Sequence, residues 1–181
     1  MILFLKHRNR PIKNQSGFTL IEMLIVIIVL GILAMIIIPQ ITVSTEDAKV
    51  STLQTNLSGV RSAVETYFAQ HSNTYPGEKK ETDGSAVGSN AQAATAFIDQ
   101  LTKYSAASGV VSNSKTTTAK FGPYIKGAGF PANPFTAANT VTCDFAETNI
   151  TVRVADAASA WKFYPKTGVF IANDTSAHAT Y

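Results

Sequence analysis

A chain of 181 residues has room for one domain of ordinary size and a further element, and at this length a core forms without covalent staples. Its single cysteine, Cys143, excludes an intramolecular disulfide and a cysteine-based zinc site. The net charge of +3 is misleading as a guide to partners, because Lys6, Arg8, Arg10 and Lys13 all lie in the first seventeen residues; without them eleven basic residues face twelve acidic ones, and the domain has no electrostatic case for binding nucleic acid.

Residues 1–17 combine those four basic side chains with Pro11, Asn14 and Ser16 and hold no apolar core of signal-peptide length, which reads as a cytoplasmic leader. From Phe18 to Ile41 the chain is apolar apart from Thr19, Glu22 and Gln40. As a helix this run is about 36 Å long, enough to cross a hydrocarbon layer of about 30 Å. Basic residues before it and none close behind it predict a cytoplasmic N-terminus. A secretory signal would end in small residues, whereas this core ends in Ile36-Ile37-Ile38-Pro39-Gln40. Hydropathy leaves an ordinary single-span anchor open, and Glu22 requires separate explanation, since a carboxylate in hydrocarbon costs at least about 2.5 kcal/mol near a helix centre.

Beyond Pro39, which is expected to kink or loosen the helix, Val50, Leu53, Leu57, Val60, Val64, Tyr67 and Phe68 recur at steps of three and four, with Lys49, Gln54, Arg61 and Glu65 off that stripe. One helix is therefore expected from about Phe18 to Gln70, apolar all round at first and amphipathic afterwards. His71-Ser72-Asn73 and Tyr75-Pro76-Gly77 end it. A solvated loop over 77–90 precedes a short second helix over 93–104, carrying Ala94, Phe97, Ile98 and Leu101. Residues 105–120 read as irregular, and 122–135 as an ordered loop pinned by Tyr124, Phe130 and Phe135. Alternation of Ile150, Val152 and Val154 predicts a half-buried strand over 148–155. Residues 161–164 and 169–171 flank a turn and read as a hairpin. The expected fold is α+β, a long N-terminal helix packed on a small antiparallel sheet. The expected divisions are a leader over 1–17, a transmembrane and polymerising helix over 18–41, and a head over 42–181. His71 and His178 stand in polar segments where solvated rings are expected.

At Gly17-Phe18-Thr19-Leu20-Ile21-Glu22 the sequence resembles the cleavage and methylation motif of type IV pilins and type II secretion pseudopilins. Residues 57–77 and 161–174 are similar to the helix end and last hairpin of major pseudopilins. The resemblance implies that a prepilin peptidase cuts between Gly17 and Phe18 and methylates the new Phe18 amine. It also implies a helical homopolymer, joined by other pseudopilins or pilins, built from an inner-membrane pool by an assembly platform and a separate ATPase. The periplasmic head then ends in an envelope-spanning or surface filament. Glu22 is expected to meet the Phe18 amine of a neighbouring subunit in low dielectric. Several major pseudopilins bind calcium near that hairpin, which makes Asp144, Asp156 and Asp174 candidate ligands, although no pair has a recognisable ligand spacing. No catalytic motif or phosphate loop is present, so neither an enzyme nor a resident cofactor is expected. The lack of paired cysteines favours the secretion branch; a surface-fibre pilin for adhesion, motility or DNA uptake, and an anchored domain that never polymerises, are the alternatives.

Overall fold

The computed structural model describes residues 17–127 and 129–181, apart from the side chains of residues 36–44. Residues 1–16 of the expected leader lie outside the described residues, as do the side chains of residues 36–41 at the end of the apolar run, Pro39 included. The chain divides between Ser44 and Thr45 into two units.

In the first unit the first helix, α1 (Leu20–Gln70), begins. Every large apolar side chain from Leu20 to Met35 is 44 to 93% exposed, so among the described residues none of them is buried in a core. Among the described residues no helix is long and apolar enough to cross a membrane; the described side chains of this run stop at Met35.

The second unit is built on the amphipathic half of α1. Leu53, Leu57, Val60, Val64 and Tyr67 are all buried, while Val50 and Phe68 are half-buried at the edges of the stripe, as the steps of three and four require. They form one core with Phe97 and Leu101 of α2 (Asn90–Thr102) and with Trp161, Phe163 and Phe170. Ser89 caps α2 by accepting a hydrogen bond from the Gln92 amide. Arg61, on the flank of α1, does not point to water: its Nε and Nη2 both donate to the Phe170 carbonyl, at 3.1 and 2.9 Å, tying helix to sheet.

Two small sheets complete the head. β1 (Tyr104–Ser105) and β2 (Val111–Ser112) form an antiparallel pair inside the segment expected to be irregular. β3 (Val141–Cys143), β4 (Trp161–Tyr164) and β5 (Val169–Ala172) form the second sheet. The β4–β5 hairpin is antiparallel as expected, pairing Trp161 with Ala172 and Tyr164 with Val169. β3 is parallel to β4, so the sheet is mixed rather than antiparallel, because residues 144–160 return the chain across the end of the sheet instead of by a tight turn.

No strand forms over 148–155. Local groups take its backbone amides: the Thr151 amide donates to Asn149 Oδ1, Val152 to the Asn149 carbonyl, Val154 to the Tyr164 hydroxyl and Asp156 to Asn173 Oδ1. Of the three residues expected on a half-buried face only Val152 is half-buried, while Ile150 and Val154 are exposed. In the 122–135 loop Phe130 is buried and Tyr124 and Phe135 pack on the core, while Trp161 Nε1 donates to the Pro131 carbonyl at 2.8 Å. Buried Gln100 ties two loops to α2: Nε2 donates to the Lys79 and Gly109 carbonyls and Oε1 accepts from the Gly77 amide. Among the described residues no buried side-chain polar atom lacks a partner.

Candidate functional site

The start of α1 is the centre of interest. Thr19 is the residue before the helix and Glu22 stands in its first turn. The Thr19 amide donates to Glu22 Oε2 at 2.7 Å, the Thr19 hydroxyl donates to the same oxygen at 2.7 Å, and the Glu22 amide donates back to Thr19 Oγ1 at 3.3 Å. This is a reciprocal capping box, which satisfies two amides that a helix start otherwise leaves without partners. Glu22 therefore has a partner within its own chain, where only a neighbour's amine was expected. The signal for it is Thr-x-x-Glu ahead of an apolar run, present in the sequence as Thr19-Leu20-Ile21-Glu22. Among the described residues Glu22 Oε1 accepts no hydrogen bond, so one oxygen remains available at the exposed helix start. Gly17 and Phe18 precede the helix, and Phe18 is 80% exposed.

The three candidate calcium ligands are not brought together. Asp144 and Asp156 line one groove of about 520 Å³ with Asn90, Thr142 and Lys162. There the Lys162 ammonium lies 2.9 Å from Asp156 Oδ2, and Asn173 Nδ2 and the Ala158 amide donate to Oδ1. Those donors, Lys162 first, hold the Asp156 carboxyl down to about 2. Asp144 Oδ1 instead accepts from the Ala146 and Glu147 amides and closes a turn. Asp174 is almost buried elsewhere, between Asn133 Nδ2 and the ring of His178. Among the described residues no group of three His, Cys, Asp or Glu side chains is placed to hold a metal ion, and an ammonium already seated on Asp156 does not fit a calcium cage.

Neither histidine of the head is solvated. His71 is 1% exposed, and His178 is half-buried against Phe135 and Asp174. Cys143 is buried as expected of a lone cysteine, and burial pushes its thiol up, away from the thiolate that nucleophilic chemistry needs.

The exposed apolar side chains of α1 from Leu20 to Met35 follow directly on the Thr19–Glu22 box. Residues 12–38 match the prokaryotic N-terminal methylation motif. The motif covers Gly17, Phe18, Glu22 and the whole of the exposed stretch from Leu20 to Met35. Over 55 residues the chain is 38% identical to type II secretion system core protein G of Pseudomonas aeruginosa, covering 30% of this chain and 39% of that protein. It is 32% identical over 71 residues to core protein G of Aeromonas hydrophila, covering 39% and 49%. It is also 44% identical over 57 residues to a type IV major pilin protein of Neisseria gonorrhoeae, covering 32% and 34%. The chain thus spans between one third and one half of the length of these relatives. No solved structure matches it.

Proposed function

We propose that this chain is a structural subunit of a type II secretion pseudopilus, cut by a prepilin peptidase between Gly17 and Phe18, methylated on Phe18, and polymerised through the first part of α1. The observation that carries the reading is the helix surface from Leu20 to Met35, where every large apolar side chain is exposed among the described residues. Such a surface is stable only in lipid or against other apolar helices, and a subunit that passes from an inner-membrane pool into a filament uses both in turn. A cut after Gly17 leaves the Thr19 amide and hydroxyl in place, so the capping box persists in the mature chain. Glu22 Oε2 stays committed to its own helix start, which leaves Oε1 to meet the charged Phe18 amine of a neighbour. Other pseudopilins, an inner-membrane platform and a separate ATPase are the partners of this reading, with the N-terminus first cytoplasmic and the head periplasmic.

The pilin likeness over 57 residues supports a second reading, a subunit of a surface fibre, since both kinds of relative share the N-terminal region. The head favours secretion: its one cysteine is buried and unpaired, and it resembles major pseudopilins over 57–77 and 161–174. Deleting the gene is expected to trap folded exoproteins in the periplasm while surface fibres and twitching motility persist. Normal secretion with lost surface fibres would assign the chain to a pilus instead.

A further inference from the structure

His71 closes the C-terminal end of α1 from inside the head. Its Nδ1 lies 2.9 Å from the Tyr67 carbonyl, which can only accept, so Nδ1 carries the proton. Its Nε2 lies 3.0 Å from Ser105 Oγ and, being unprotonated in that tautomer, accepts the serine hydroxyl. The ring stacks on Tyr67 with centroids 3.7 Å apart and also faces Phe121 and Tyr124. Ser105 in turn exchanges both backbone hydrogen bonds with Phe121 and pairs with Val111. The imidazole is thus a pin between the spine helix and residues 104–126.

We propose that His71 is an acid-operated latch, whose neutral ring holds residues 104–126 to the end of α1 and whose protonated ring releases them. A second ring proton has to be placed on Nε2, where it opposes the hydroxyl proton of Ser105, and it adds a charge to a site enclosed by aromatic rings. The titratable and charged groups around the ring are Tyr67 from α1, Tyr124 from the segment after β2 and Lys79 from the loop after α1. Burial pushes both tyrosines up, Tyr124 to about 12, so neither supplies a negative charge, and Lys79 is repulsive. No carboxylate bonds the ring among the described residues. Burial is the main cause that lowers the His71 value, and the Tyr67 and Ala106 backbones offset it only in part. A base depressed on folding binds more protons when released, so the closed state is fully stable above about 6.5 and loses stability as pH falls below that value. The outward-facing side of an envelope follows the acidity of the medium, which would give the latch an input.

Hydrogen exchange by mass spectrometry on the mature full-length protein in detergent micelles, at pH 7.5 and pH 4.5 and corrected for intrinsic rates, tests the latch. Protection over 104–126 is expected to be lost at pH 4.5 relative to pH 7.5, while β4 and β5 stay protected. In His71→Gln the pH step over 104–126 is expected to vanish. Unchanged protection, loss shared equally with β4 and β5, or a step that persists in His71→Gln would overturn the proposal. Should His71→Gln fail to fold, an NMR titration of the wild-type ring decides: a midpoint below 6.5 that coincides with the exchange step supports the latch, and one at or above 6.5 overturns it.

Discussion

Glu22→Ala is expected to yield a subunit that enters the membrane as well as the wild type or better and does not build filaments. Two effects combine in that variant. Removing the carboxylate lowers the insertion cost, but it also removes half of the capping box with Thr19, worth about 0.5–2 kcal/mol to the helix start. Glu22→Gln separates them, because glutamine serves in a capping box and carries no charge. If the charge is what matters, Glu22→Gln assembles as poorly as Glu22→Ala, since an amine facing an uncharged partner in low dielectric costs about 3–5 kcal/mol. Filament number, read by electron microscopy or by shearing, should then fall by at least about a hundredfold in both variants, the factor that 2.7 kcal/mol represents. Thr19→Val, which loses the hydroxyl and keeps the charge, should have a milder effect. Normal filaments from Glu22→Gln would reduce Glu22 to a helix cap.

The second large effect lies in the head, at the β4–β5 turn. Gly168 has φ of +71°, and a Cβ placed there would stand within 2.7 Å of the ring and hydroxyl of Tyr75, which is itself stacked on Phe68 of α1. A side chain at this position meets a left-handed backbone, costing about 1–2 kcal/mol, and, where Tyr75 holds its place on Phe68, an overpacked ring, costing about 1–3 kcal/mol. Gly168→Ala is therefore expected to destabilise the head by about 2–5 kcal/mol and lower its thermal midpoint by roughly 10 °C. Tyr75→Ala removes the clash but not the backbone cost, so in the double variant Gly168→Ala should be cheaper by about 1 kcal/mol or more. Strict additivity would mean that Tyr75 is free to move aside.

The parts of this fold that follow a local period are legible in the sequence. Leu53, Leu57, Val60, Val64 and Tyr67 declare a buried helix face because each step is local and apolar. The hairpin is legible for the same reason, its two runs meeting across a short turn. β3 is not, since three residues hold no period and their parallel partner lies beyond residues 144–160. The same segment shows how alternation misleads: Ile150, Val152 and Val154 have a strand's rhythm, but Asn149, Tyr164 and Asn173 take the backbone amides that a ladder would use. Burial of His71 is equally hidden, because its neighbours Ser72 and Asn73 read as a solvated turn while the cage of Ser105, Phe121 and Tyr124 comes from far along the chain. In the candidate site, Gly17, Phe18 and Glu22 stand out by resemblance and by the cost of a carboxylate in an apolar run. Thr19 carries an equally plain signal, which Glu22 masks for as long as it is matched only to a charge.

Processing is the step on which the whole account depends, and it leaves a covalent record. Intact mass and N-terminal sequencing of the protein recovered from cells with an active prepilin peptidase should give a chain that begins at Phe18 and carries one methyl group on its amine. A full-length chain, or a cut after Pro39 in the manner of a secretory signal, would contradict it.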